Sequence, residues 1–301
     1  MSVALLSGGT GGAKLARGLY DLLGAELTVI ANTGDDVEML GAHVSPDPDI
    51  VTYWLADRID ERGWGIAGDT FEAMAMLREL GADVWFQLGD RDLALCLERR
   101  RLLDGGLTLS EAHATLSRAL GVHASVIPMS DDPVRTTVTT GARTIGLQEY
   151  LIVERGAAPI DDIRFEGADR AGASPAALEA LARAEAIVIG PSNPVISIGP
   201  ILAVGAIRAA LEAASVPVVA VSPIVGGAVL KGPTAACLEW AGERADNAGV
   251  ARHYGALIDA LVADGPVEAI RTHVCDTLMD DEHARRRLAR ETLALVEELR
   301  G

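Results

Sequence analysis

Several short polar turns hold the residues best suited to chemistry, and the first is Ser7-Gly8-Gly9-Thr10-Gly11-Gly12-Ala13-Lys14. It follows the apolar run Val3 to Leu6 and leads straight into a helical pattern from Leu15 to Leu23. Glycines let a backbone approach a ligand closely, and a helix N-terminus offers N–H groups and a favourable dipole to an anion. The turn therefore suits a diphosphate. It is not a P-loop, because Lys14 is followed by Leu15, and it is not G-x-G-x-x-G, because Lys14 stands at the third glycine position. Generic ATPase and generic dehydrogenase chemistry both lose ground. Lys14 and Lys231 are the only lysines, and each lies beside a glycine-rich segment, the second running from Ser222 to Pro233. A flexible ammonium is a reasonable phosphate partner, although two residues make no pattern.

Carboxylates cluster in Asn32-Thr33-Gly34-Asp35-Asp36 and in Ser45-Pro46-Asp47-Pro48-Asp49, close after the second apolar run. Ligands of open parallel sheets bind at the strands' C-terminal ends, and hard oxygens beside a diphosphate are what Mg²⁺ needs. The same residue types also make ordinary turns. In Leu88-Gly89-Asp90-Arg91-Asp92, Arg91 is able to fork onto a phosphate or a polar ring edge; equally, Asp90 caps a helix while Arg91 pairs with a neighbouring acid. Ser192 and Asn193, in Gly190-Pro191-Ser192-Asn193-Pro194, offer a hydroxyl and an amide held by flanking prolines. Met129 to Thr137 is a further polar loop. The six histidines show no metal spacing, and no G-x-S-x-G elbow marks a serine nucleophile.

The elements that must position these turns are short β-branched runs: Val3 to Leu6, Leu27 to Ala31, Val84 to Leu88, Ser125 to Ile127, Ala186 to Ile189 and Val216 to Val221. Most are continuous rather than alternating, as strands covered on both faces should be, and helical patterns lie between them. The order implies an α/β fold, Rossmann-like and doubly wound, with a mainly parallel sheet. Helices start at the capping box Thr108 to Glu111 and at Ser174-Pro175. Residues 141–172, with strand-like runs Thr144 to Leu147, Tyr150 to Val153 and Ile163 to Phe165, read as an insertion or small subdomain. Residues 235–301 read as mostly helical, ending in an amphipathic helix from Asp281 to Arg300. The whole chain, 1–301, reads as one domain.

Composition bounds the partners. Acidic residues outnumber basic ones 43 to 26, for a net charge of −17, which disfavours nucleic acid. The start lacks a basic leader and no run reaches the 18 or so apolar residues of a membrane span. Three scattered cysteines argue against a disulfide framework, so a cytoplasmic location is expected. From the residues alone, the chain is a Mg²⁺-assisted binder or transferase of a nucleoside diphosphate compound.

Taken in order, these turns, with Met129 to Pro133 and Ser222 to Gly226, resemble the 2-phospho-L-lactate transferase family of coenzyme F-420 biosynthesis, including its phosphoenolpyruvate-transferring members. The resemblance implies transfer of 2-phospho-L-lactate or phosphoenolpyruvate from a guanosine diphosphate conjugate to the ribityl hydroxyl of the deazaflavin Fo, 7,8-didemethyl-8-hydroxy-5-deazariboflavin. GMP would leave, and F-420-0 or its dehydro form would result. Carried over by motif, Asp35 resembles the Mg²⁺ ligand with Asp36 beside it, and Asp49 and Arg91 resemble the Fo-contacting pair. Gly8, Gly9, Thr10, Gly11, Gly12, Lys14, Ser192 and Asn193 would hold the guanosine diphosphate part, and Asp49 or Asp35 would take the acceptor proton. A homodimer is also implied. The motifs do not separate the two donors; 24 arginines against two lysines suggest a GC-rich genome and so the enolpyruvate form. The rival readings are a regulatory nucleotide or nucleotide-sugar binding protein of a related family and, behind it, a nicotinamide-dependent oxidoreductase.

Overall fold

A computed structural model describes residues 1–301. Seven strands form one sheet in the spatial order Arg271–Val274, Ala260–Ala263, Val218–Val221, Ala186–Ile189, Val3–Ser7, Leu27–Ala31, Ser125–Pro128. Every pairing in it is parallel. The chain starts in the middle, builds outward to Ser125–Pro128, then returns to build the other side. The order therefore reverses between Val3–Ser7 and Ala186–Ile189, and a doubly wound sheet opens a crevice at such a point.

The continuous apolar runs follow from this position. Along the first strand Ala4 and Leu6 face one core, with Ile187, Ile201, Ile207 and Tyr254, while Val3 and Leu5 face the other, with Leu15, Leu19, Leu288 and Val296. Both faces are covered by helices, so both side-chain registers must be apolar. The helices Gly9–Leu23 and Glu282–Arg300 lie over the second face. No single helix is long and apolar enough to cross a membrane.

Three expected features differ. Val84 to Leu88 is not a strand but an irregular segment between the helices Glu72–Glu79 and Asp90–Asp104. The sheet position beside Leu27–Ala31 is taken by Ser125–Pro128, so Leu88, Val84 and Phe86 instead pack into a satellite core with Val44, Met74 and Cys96. Tyr150 to Val153 is not a strand either: Leu147–Ile152 is a helix, and Leu147 and Tyr150, three apart on one face, are its buried residues. That helix packs against a separate antiparallel sheet of Arg143–Gly146, Arg135–Thr140 and Asp162–Glu166. Finally, the expected helical stretch 235–301 also carries Ala260–Ala263 and Arg271–Val274, which extend the main sheet. The capping box is present, with Thr108 Oγ1 accepting from the Glu111 N–H and Glu111 Oε2 from the Thr108 N–H.

The helix Leu109–Ala119 carries a buried histidine. His113 Nε2 lies 3.1 Å from Thr52 Oγ1, and burial, aided by Arg99, pushes its pKa down from 6.5 to about 3. Below pH 6.5 the unfolded chain therefore binds a proton that the folded chain refuses, so stability falls as pH falls through that range. By pH 5 this costs about 2 kcal/mol. Replacing His113 by Gln should narrow the melting-temperature gap to wild type between pH 7 and pH 5; a constant gap would show that His113 does not titrate this way.

Candidate functional site

At the reversal point two turns touch backbone to backbone. A Cβ on Gly11 would lie 2.0 Å from the Pro191 carbonyl oxygen, and one on Gly12 would lie 2.3 Å from Ser7 Oγ and 2.6 Å from Ser192 Oγ. No side chain fits there, which explains the glycines physically. The Gly8 N–H donates to Ser192 Oγ (3.2 Å), locking the turns together. Asn193 Oδ1 accepts from the Val195 and Ile196 N–H groups (2.9 and 3.2 Å) and starts the following helical turn. The N-cap Gly8 supplies no capping side chain and the first turn of the helix Gly9–Leu23 holds no acidic residue of its own, so of its first N–H groups only that of Gly9 meets a carboxylate, the one of Asp47.

These turns line a cavity of about 420 Å³. Gly8 to Gly11, Lys14, Ser192 and Asn193 all border it, as does Lys231, far away in sequence. Lys14 Nζ donates to the Met279 carbonyl (2.8 Å), and its pKa is lowered first by burial and then by the neighbouring Lys231. Both lysines thus converge on one anion-sized opening.

A second cavity, about 460 Å³, adjoins the first and shares Thr10 and Leu151 with it. Its walls combine carboxylates (Asp35, Asp47, Asp49 and Asp92) with the rings of Tyr53, Trp64 and Phe86. Asp35 is deeply buried: Oδ2 accepts from Gln148 Nε2 (2.9 Å), whereas Oδ1 has no partner. Burial, then Asp47 and Asp36, hold its pKa well above the usual carboxylate range. Asp36 turns away into the protein, where its carboxylate accepts from Ser45 Oγ (2.7 Å) and pairs with His43 Nε2 (3.0 Å). Asp47 takes the place beside Asp35 instead. It accepts from the Gly9 N–H (2.5 Å) and from Asn32 Nδ2 (2.9 Å), and burial pushes it up to about 6.

Asp49 reaches the same cavity from the first turn of Pro46–Leu55 and is paired with Arg99 Nη2. Arg99 is 0% exposed and also donates to the His43 carbonyl (2.9 Å). Burial raises Asp49 to about 7 even against the pull of Arg99. Asp49, Asp92 and Cys96 approach one another closely, but the Arg99 guanidinium supplies the positive charge there. Arg91 behaves differently from its sequence neighbours. It is exposed, its Nη1 donates to the Ala67 carbonyl (3.2 Å), and it borders neither cavity. Asp92 does, accepting from Tyr53 Oη (2.6 Å), while Asp90 caps the helix Glu72–Glu79 through the Glu72 and Ala73 N–H groups.

Sequence reasoning left Tyr53, Trp64, Phe86, Asp92, Arg99 and Gln148 unassigned. Only Trp64, set between Gly63 and Gly65, carries a local signal, that of an apolar residue stranded in a polar turn. The others are brought in by packing between distant segments.

Residues 3–296 match the family described as 2-phospho-L-lactate transferase CofD. A 2-phospho-L-lactate transferase of Methanopyrus kandleri is 41% identical over 314 residues, covering 100% of this chain and 99% of the relative. A phosphoenolpyruvate transferase of Kitasatospora aureofaciens is 42% identical over 318 residues, again covering 100% and 99%. Among solved structures, a UPF0052 family member from Bacillus halodurans shares the fold at a TM-score of 0.58 and 17% identity, covering 95% of this chain and 90% of that one. Matched by the family model over residues 3–296 and by a relative 41% identical along its whole length, the chain belongs to the 2-phospho-L-lactate transferase CofD family.

Proposed function

We propose that this transferase moves 2-phospho-L-lactate or phosphoenolpyruvate from its guanosine diphosphate conjugate to the ribityl hydroxyl of Fo, releasing GMP. The observation that carries the reading is the pair of cavities meeting at Thr10 and Leu151. One is lined by glycine backbone and lysines, as a diphosphate requires, and the other by aromatic rings and carboxylates, as a flat polyhydroxylated acceptor requires. A donor in the first would present its phosphorus to an acceptor hydroxyl in the second. The hydroxyl oxygen bonds to phosphorus as the bond to the GMP oxygen breaks, and a carboxylate takes the proton.

Asp49 suits that proton transfer, because a base near pH 7 is well matched to the task and this carboxyl sits at about 7. The glycine turn, Lys14 and Ser192 position the guanosine diphosphate part, and positioning with charge neutralisation is most of what phosphoryl transfer needs. Asp35 fits a Mg²⁺ ion: its buried Oδ1 lacks any partner, and the Asp47 and Asp36 carboxylates beside it would share the ion's charge. When bound, the ion neutralises diphosphate charge and stabilises negative charge developing on oxygen. Asp36, with its carboxylate already engaged, would support the site from behind.

Replacing Asp35 by Asn should lower kcat by about 100-fold or more while the melting temperature holds or rises, since an unpaired buried charge is removed. A variant that unfolds, or one that keeps full turnover, would contradict the assignment. Chelation with EDTA should abolish turnover, and added Mg²⁺ should restore it; unchanged turnover in EDTA would exclude the ion. In a fluorescence titration with Fo, Asp49→Asn should weaken binding more than Arg91→Ala, because only Asp49 borders the acceptor cavity. The reverse ranking would place the acceptor nearer the surface than proposed.

A further inference from the structure

A hairpin walls the donor cavity and has no part in the reaction described above. Ile224–Val225 and Ala228–Val229 pair antiparallel around Gly226 and Gly227, whose φ angles of +61° and +74° suit glycine. The chain then brings Leu230, 59% exposed, and Lys231 to the cavity rim. A two-stranded hairpin this short does not hold its own position in water.

Its anchor is a polar relay at the C-terminal edge of the main sheet. Asp264 directly follows the strand Ala260–Ala263; its Oδ2 accepts from the Gly226 N–H and from the Gly227 N–H (3.3 Å). Its Oδ1 accepts from Asn247 Nδ2 (2.7 Å). Asn247 Oδ1 accepts in turn from Ser222 Oγ (2.6 Å), and Ser222, which follows the strand Val218–Val221, receives the Ile224 N–H (3.2 Å). The hairpin's root and turn are thus tied to two adjacent strand ends. The charge of Lys231 also reaches Lys14, which it disfavours in its ammonium form, a cost that an anion between them removes.

We propose that Asp264 is a positioning residue which, by gripping the Gly226–Gly227 turn, holds the hairpin so that Lys231 closes on a nucleoside diphosphate opposite Lys14 and the glycine turn. The proposal rests on the donor-cavity reading given above. Asp264 touches no substrate in this scheme; Lys231 does.

The test is calorimetric titration with GDP and fluorescence titration with Fo on full-length wild type, Asp264→Ala, Asp264→Asn, Lys231→Met and the Asp264→Ala/Lys231→Met pair. Asp264→Ala should weaken GDP binding about tenfold, and Asp264→Asn, which keeps one accepting oxygen, by less. Fo affinity and melting temperature should stay at wild-type values. The double variant should bind GDP no more weakly than Lys231→Met, because Asp264 acts through that lysine. Unchanged GDP affinity in Asp264→Ala would overturn the proposal, as would additive losses or equal weakening of GDP and Fo. Wild-type protein that binds GDP but not Fo would refute the transfer reading alone, leaving the Asp264 comparison decisive on its own terms.

Discussion

The structure depends on how closely two strand-to-helix turns approach each other where the sheet order reverses. Gly11 lies so near the Pro191 carbonyl, and Gly12 so near the Ser7 and Ser192 hydroxyls, that a single methyl group would push the turns apart. That contact brings the N-terminus of the helix Gly9–Leu23 beside Ser192 and Asn193 and sets the position of the first cavity. It also places Gly9 where Asp47 can accept its N–H, which links the donor side to the acidic wall of the second cavity. Separating the turns would therefore disturb both cavities, not one.

Charge is the second constraint. Asp35, Asp47, Asp49 and Asp92 are gathered around one cavity, with the buried Arg99 set against Asp49 and near Asp92. Burying this much like charge is costly, and the raised pKa values of Asp35, Asp47 and Asp49 record the cost. A protein gains nothing in stability from such a cluster. Under the proposed transfer, the cluster would supply a proton acceptor tuned near neutrality and a free carboxylate oxygen for an ion.

Much of this was legible in the chain because the physics is local. A glycine-rich turn between an apolar run and a helical pattern marks a strand-to-helix turn, and buried parallel strands must be apolar on both faces, so the sheet and the turns at its C-terminal edge could be read directly. What failed was non-local. Val84 to Leu88 has strand composition, yet Ser125–Pro128 occupies the place beside Leu27–Ala31, and only the assembled sheet decides that competition. The direction of a side chain was equally invisible: Asp35 and Asp36 are adjacent in sequence, but one faces the cavity and the other pairs with His43 and Ser45. Arg91 and Asp92 divide in the same way. Arg99 and Gln148 carry no motif at all and matter only through what they touch.

The most direct measurement is a single-turnover reaction of the protein with Fo and the guanosine diphosphate conjugate of 2-phospho-L-lactate or phosphoenolpyruvate, in the presence of Mg²⁺, with products separated by chromatography. The account predicts that GMP and the phosphodiester of Fo form one for one with at least one of the two donors. GMP release that does not need Fo, or nucleotide binding with no product from either donor, would contradict it.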